Sequence, residues 1–187
     1  MTKSVQILAF SGSARRESLN GKFLAAATQM IREAGTKVTV VNLNDYSLPL
    51  YDGDLEETQG LPANARKLID LIKGHHGLLI ASPEYNAMIT PLLKNTIDWC
   101  TRGDDNPFTG KVAAVISASP GALGGIRSLR HAQQLLLHLG CHVVPGNTIL
   151  PQADQAFTAR GKLKDKRTGQ AVKKLAQTLV VTARKLG

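Results

Sequence analysis

Residues 11–20 read Ser-Gly-Ser-Ala-Arg-Arg-Glu-Ser-Leu-Asn and lead straight into a helical pattern. The hydroxyls of Ser11, Ser13 and Ser18, the Asn20 amide and the Arg15 guanidinium are the donors that a dianionic phosphate requires. The free N–H groups and positive dipole end of the following helix add to them. Gly12 lets the backbone turn tightly beneath such an anion. A second cluster, Ser82-Pro83-Glu84-Tyr85-Asn86, is a proline-stiffened turn whose N–H and C=O groups suit the polar edge of a planar heterocycle, with Tyr85 packed against the ring. A third, residues 117–125, runs from Ser117 through Gly121, Gly124 and Gly125 with no bulky side chain near its middle, which permits a flat ligand to approach closely. Each cluster also has an ordinary reading: a capped helix with a polar loop, a plain turn with a satisfied tyrosine, and a flexible turn.

The elements that must position these clusters are read from hydrophobic period. Residues 5–10 (VQILAF), 37–43 (KVTVVNL), 77–82 (GLLIAS), 111–117 and 141–144 are short apolar or β-branched runs, as expected of strands buried on both faces. Helical spacing covers residues 18–34, 62–73, 90–101, 126–139 and 170–186, with Gly35, Gly74 and Gly140 as stops and Thr90-Pro91 as N-cap and first helical position. Residues 44–60 are turn-rich and read as a surface loop, and 158–168 as a linker-like stretch. Strands alternating with helices form parallel βαβ units, so the expected fold is a doubly wound α/β domain spanning 1–187. It has five parallel strands in the order 2-1-3-4-5 and helices on both faces. In such sheets ligands sit beyond the carboxyl ends of the strands at the switch in winding direction, where all three clusters fall.

What the first loop lacks narrows the ligand. It is neither GxGxxG nor GxxxxGK[ST], and the chain has no CxxxxxR loop or GxSxG elbow. Dinucleotide cradling, triphosphate hydrolysis, thiol phosphatase and serine hydrolase chemistry lose their signatures. A single phosphate on a doubly wound sheet leaves a mononucleotide, for which FMN at the switch point is the model case. Cys100 and Cys141 form no CxxC pair and read as buried thiols. His75, His76, His131, His138 and His142 show no metal-ligand spacing, and His75-His76 is expected in a solvated loop, so no metal is expected.

A length of 187 residues with 43% hydrophobic and 20% charged content suits one globular core. No apolar run approaches the roughly 20 residues of a membrane span, and the N-terminus lacks a secretory pattern, so a cytoplasmic location is expected. The net charge of +9 is uneven: residues 1–157 hold 14 basic against 13 acidic side chains, whereas 158–187 hold nine basic groups against Asp165 alone. Base stacking would need interleaved aromatics and this tail has only Phe157 nearby, so nucleic acid is not the expected partner.

Taken together, GSARRESLN at 12–20, SPEYN at 82–86, LKNTIDW at 93–99 and the glycine turn at 121–125 resemble the NADPH-dependent FMN reductase family, whose flavodoxin-like members include quinone-, chromate- and azo-reducing enzymes. The likeness spans roughly residues 4–150; the basic tail lies outside it. The resemblance implies FMN phosphate held by Ser11, Ser13, Arg15, Ser18 and Asn20, with Leu19 also at the cofactor. Pro83, Glu84, Tyr85 and Asn86 would lie along the ring and ribityl largely through backbone atoms, and Ser117 and Gly121 would complete the pocket. It further implies NADPH or NADH as hydride donor, a small electron acceptor, no obligatory catalytic side chain, and a homodimer or homotetramer with helix 90–101 and Trp99 at the contact. Two other readings stay open at this stage: a flavodoxin-like single-electron carrier, against which the near-neutral body counts, and a flavin-binding module without reductase activity.

Overall fold

The computed structural model describes residues 5–186. Strands β1 (Gln6–Ser11), β3 (Gly77–Ala81) and β4 (Val112–Ala118) form the centre of a parallel sheet. Every residue of β3 and β4 is buried, which is why these stretches are continuously apolar rather than alternating. β2 (Lys37–Val41) is the outer strand beside β1, and only Val41 of it is buried. The strand order is 2-1-3-4-5, the flavodoxin-like winding.

The fifth position is divided. β5 (His142–Val143) pairs with the start of β4 and β6 (Thr148–Leu150) with its end, both parallel. Between Val143 and Thr148 the outer strand spends two residues more than β4 does opposite. Pro145 has no N–H for the ladder and Gly146 sits at φ +129, so the intervening segment leaves the sheet. One expected strand is thus two.

Helices cover both faces. α1 (Leu19–Glu33) and α6 (Lys166–Leu186) share one core with Ile7, Ala9, Leu79, Ala114 and Ile116. α3 (Ala63–Lys73), α4 (Pro91–Cys100) and α5 (Ile126–His138) share the other with Leu8, Phe10, Leu78, Ile80 and Val115. The alternation of β1 and β3 side chains between these two lists is the period-two signature of strands buried on both sides.

Four expectations change. Residues 44–60 are not a bare loop: a 3-10 turn, Leu43–Asp45, runs into them and helix α2 (Gly53–Gln59), capped by the Asp52 carboxylate, occupies part of them. α6 begins at Lys166, four residues earlier than the apolar period, because the Asp165 carboxylate accepts from the N–H groups of Arg167 and Thr168 at 3.3 and 2.8 Å and starts the helix. His75 is buried rather than solvated. Its Nδ1 faces the Leu71 carbonyl at 2.6 Å and its Nε2 the Thr39 hydroxyl at 2.7 Å. A carbonyl only accepts, so Nδ1 carries the proton. Trp99 is fully buried, with its indole N–H donating to the Pro49 carbonyl at 2.8 Å, and so cannot present itself to another subunit.

Candidate functional site

Ser18 opens α1 as its N-cap: its Oγ accepts from the Gly21 N–H at 3.1 Å, which leaves the hydroxyl proton free to point outward. The Ser13 Oγ likewise accepts from the Arg15 N–H at 3.3 Å with its proton unspent. The N–H groups of Leu19 and Asn20, the first two of α1, have no acceptor within the described chain. Arg15 is exposed beside them. Donor hydroxyls, free helical N–H groups and a guanidinium therefore share one short loop.

Gly12 serves a different purpose from the one its place in the loop suggests. A Cβ there would stand 2.8 Å from the Leu93 Cβ, and the Gly12 carbonyl accepts from the Thr90 hydroxyl at 2.6 Å. The glycine lets β1 close against the start of α4, and Thr90 caps α4 through the Leu93 N–H at 3.2 Å. Asn20 is also reassigned. Its amide donates to the Ala118 carbonyl at 2.7 Å and accepts from the Ala118 N–H at 2.9 Å, so this buried side chain ties the start of α1 to the end of β4 rather than reaching outward.

The second loop is a two-residue hairpin. Tyr85 and Met88 exchange both backbone hydrogen bonds at 3.0 Å, and Asn86 and Ala87 take φ of +49 and +67, the pair of left-handed conformations of a type I′ turn. The N–H groups of Glu84 and Asn86 make no hydrogen bond within the described chain. The Glu84 side chain turns away from the loop and caps α5: its carboxylate accepts from the Arg127 and Ser128 N–H groups at 3.1 and 3.2 Å and from the Arg127 Nε at 2.7 Å. The N-cap residue itself is Gly125 and supplies no side chain. Burial alone would raise the Glu84 carboxyl, but the Arg127 guanidinium and the Ser128 N–H outweigh it and hold it below the usual range. Glu84 is therefore an ionised strut.

Beneath it, the Ser117 hydroxyl donates to the Ser82 carbonyl at 2.6 Å, and the Ser128 hydroxyl donates to the Pro83 carbonyl at 2.7 Å. With the Ser128 proton so placed, the 2.7 Å contact between the Ser82 and Ser128 hydroxyls has Ser82 as donor. Gly125, at φ +81, lies where a Cβ would be 2.0 Å from the Ser117 Oγ. The glycines at 124 and 125 thus admit the chain's own β4 and β6, and not a ligand.

The three loops converge. A cleft of about 170 Å³ is lined by Ser13, Arg15, Ser18, Leu19 and Asn20 from the first, Pro83, Glu84 and Tyr85 from the second, and Ala118, Ser119 and Pro120 from the third. Four expected residues lie outside its lining: Ser11, Asn86 at the turn tip, Ser117 buried under the loop, and Gly121 beyond it. Ala118, Ser119 and Pro120 lie in the expected 117–125 segment without having been singled out as cofactor residues; their place at the end of β4 and directly after it is the signal that finds them. Ser11, at the base of the first loop, faces the neighbouring groove with Ser13, Arg15 and Ser18. Its Oγ is the buried side-chain polar atom that finds no partner among the described residues. A buried hydroxyl without a partner is costly, and an acceptor-rich anion at the loop satisfies it. The residues present fit a phosphomonoester. Among the described residues no group of three or more His, Cys, Asp or Glu could hold a metal ion, and no helix is long and apolar enough to cross a membrane.

The chain is similar to known proteins along its length. The chain is 32% identical over 187 residues to an NAD(P)H-dependent FMN reductase of Pseudomonas aeruginosa, covering 100% of this chain and 99% of that protein. It is 34% identical over 145 residues to a quinone reductase of Escherichia coli, covering 77% and 76%. The solved structure of FerB, a flavoenzyme NAD(P)H:(acceptor) oxidoreductase of Paracoccus denitrificans, superposes with a TM-score of 0.84 at 30% identity, covering 98% and 99%. The family model described as NADPH-dependent FMN reductase matches residues 5–155, a span that contains all three loops, and the chain belongs to that family.

Proposed function

We propose that this protein is an FMN-dependent NAD(P)H oxidoreductase that passes electrons to a small acceptor of the quinone class. The observation that carries the reading is the partnerless buried Ser11 hydroxyl at the base of a loop where the Ser13 and Ser18 hydroxyl protons and the Leu19 and Asn20 N–H groups are also unspent among the described residues. The quinone reductase among its relatives supports the acceptor class. When bound, FMN supplies the hydride-accepting and electron-returning chemistry.

The chain's own residues bind and orient. Ser11, Ser13, Ser18, the Leu19 and Asn20 N–H groups and Arg15 would hold the phosphate, with the Arg15 charge and the α1 dipole offsetting the dianion. The N–H groups of Glu84 and Asn86, unpaired among the described residues, would serve the polar edge of the ring, and half-exposed Tyr85 (48%) would pack against it. Glu84 is ionised and bound to α5, so it donates no proton; no side-chain acid is assigned to hydride transfer.

The reading includes one flavodoxin-like domain, a reducing cytoplasmic compartment and a homo-oligomer. Two cysteines buried as free thiols suit a reducing compartment. The exposed Tyr85 and Met88, side by side on the hairpin before α4, support a self-contact there. So does Leu50, held beside α4 by the bonds of Pro49 and Tyr51 to Asn95. The outward face of α4 itself carries the Lys94–Asp98 ion pair.

The test is the visible spectrum of the purified protein together with nucleotide turnover. Two flavin bands, FMN released on denaturation, and consumption of NADPH or NADH with a quinone and no added reductase are expected. A colourless protein that takes up no FMN, or a yellow one that consumes neither nucleotide, ends the proposal.

A further inference from the structure

Beside the cleft runs a second and larger concavity of about 760 Å³, between the outer side of α1 and the edge strand β2. Its rim holds Arg15, Arg16, Lys22 and Arg32, and no acidic residue lines it. Its floor is apolar, with Leu24, Ala25, Val40 and Val41, and Asn42 and Asn44 close one end. Val40 is 49% exposed there on the edge strand, which leaves an apolar surface open to the groove. FMN carries one phosphate and the first loop already provides a guanidinium for it in Arg15. Arg16 lines only this second groove, is exposed, and forms no ion pair among the described residues. Lys22 is held by Glu17 at 2.8 Å and Arg32 donates to the Val38 carbonyl at 3.1 Å, which leaves Arg16 as the rim side chain beyond Arg15 with no partner among the described residues.

We infer that this groove is the subsite for the adenosine end of the reduced nicotinamide dinucleotide, with Arg16 as the residue that selects the 2′-phosphate and so favours NADPH over NADH. The inference rests on the reductase reading above. Ser13, Arg15 and Ser18 line both concavities, so the two adjoin at the phosphate loop, and a dinucleotide engaged over the cleft has its second half within reach of the groove. The apolar floor at Val40 takes the face of the purine, and the basic rim takes the phosphates. A guanidinium pairs bidentately with a phosphate, and the arginines of the rim concentrate a polyanion near the loop.

The test is titration of the FMN-loaded protein with adenosine 2′,5′-bisphosphate and with AMP, followed by calorimetry, at two salt concentrations. The bisphosphate is expected to bind at least about tenfold tighter than AMP, the strength of one charged hydrogen-bonded contact, and to weaken as salt rises. Arg16→Ala is expected to abolish that difference, raise KM for NADPH about tenfold with kcat unchanged, and leave KM for NADH and the FMN content as they were. Val40→Glu, a surface change that spares the fold, is expected to weaken both adenosine ligands. Equal binding of the two ligands, no binding, or indifference to both substitutions overturns the inference. A protein that oxidises both nucleotides yet shows any of those results loses the groove assignment alone. One that binds the bisphosphate through Arg16 yet oxidises neither nucleotide keeps the groove and loses the reductase reading.

Discussion

Ser11 and Glu84 show how far a side chain's type is from its task. Both were expected at the ligand, yet only Ser11 has bonding capacity left over. Ser11→Ala removes a hydroxyl that nothing in the described chain satisfies, so the flavin-free protein is expected to gain about 1 kcal/mol in thermal unfolding. FMN affinity, followed by flavin fluorescence, is expected to fall about tenfold; loss of stability with unchanged affinity would mean that the hydroxyl serves the fold. For Glu84 the folded carboxyl lies below its ordinary value, so its contribution is complete above the unfolded value of about 4.3 and is lost as pH falls through the folded one. Glu84→Gln is expected to lower stability by about 1–2 kcal/mol at neutral pH through the weakened α5 cap and lost ion pair. It is also expected to flatten the acid side of the melting-temperature profile; an unchanged profile would place the acid sensitivity elsewhere.

At the scale of elements, the site depends on how closely the carboxyl ends of β1 and β4 are held to the helices beginning beside them. Gly12 admits α4 against β1, and Asn20 clamps α1 to Ala118. Asn20→Ala leaves the Ala118 N–H and C=O buried without partners and is expected to cost about 2–4 kcal/mol in denaturant unfolding. FMN binding would weaken too, because the first and third loops lose their common anchor. Gly12→Ala drives a methyl into Leu93 and is expected to cost about 1–3 kcal/mol. If its effect were confined to flavin affinity, with stability untouched, Gly12 would be a ligand contact after all.

For the molecule as a whole, the basic surplus and the core are carried by the same helix. α6 buries Val172, Leu175, Ala176, Leu179, Val180 and Ala183 against the sheet while Lys166, Arg167, Lys173, Lys174, Arg184 and Lys185 stand on its exposed side. Removing the chain after Thr158 therefore strips one of the two helices from that core and is expected to abolish cooperative unfolding. Neutralising Lys173 and Lys174 to Gln is expected to leave stability within about 0.5 kcal/mol. A truncated chain that still melts cooperatively would show that α6 is an appendage.

The sheet and its winding were legible in the sequence because β1, β3 and β4 are apolar on both faces and the helices around them repeat every third or fourth residue, with glycine stops. The placement of the three loops followed, since a parallel sheet puts every strand's exit at one edge. The division of the fifth strand, helix α2 and the burial of His75 were not legible, because short polar segments fold as their surroundings dictate rather than by their own period. At the site the sequence determined which loops meet and which residue types they bring. Only the tertiary structure decided which of those groups are spent on the chain itself: Asn20 on Ala118, Glu84 on α5, Ser117 on Ser82. A hydroxyl, an amide or a carboxylate suits a ligand and a backbone equally well, and what separates the two uses is the nearest unpaired partner in three dimensions.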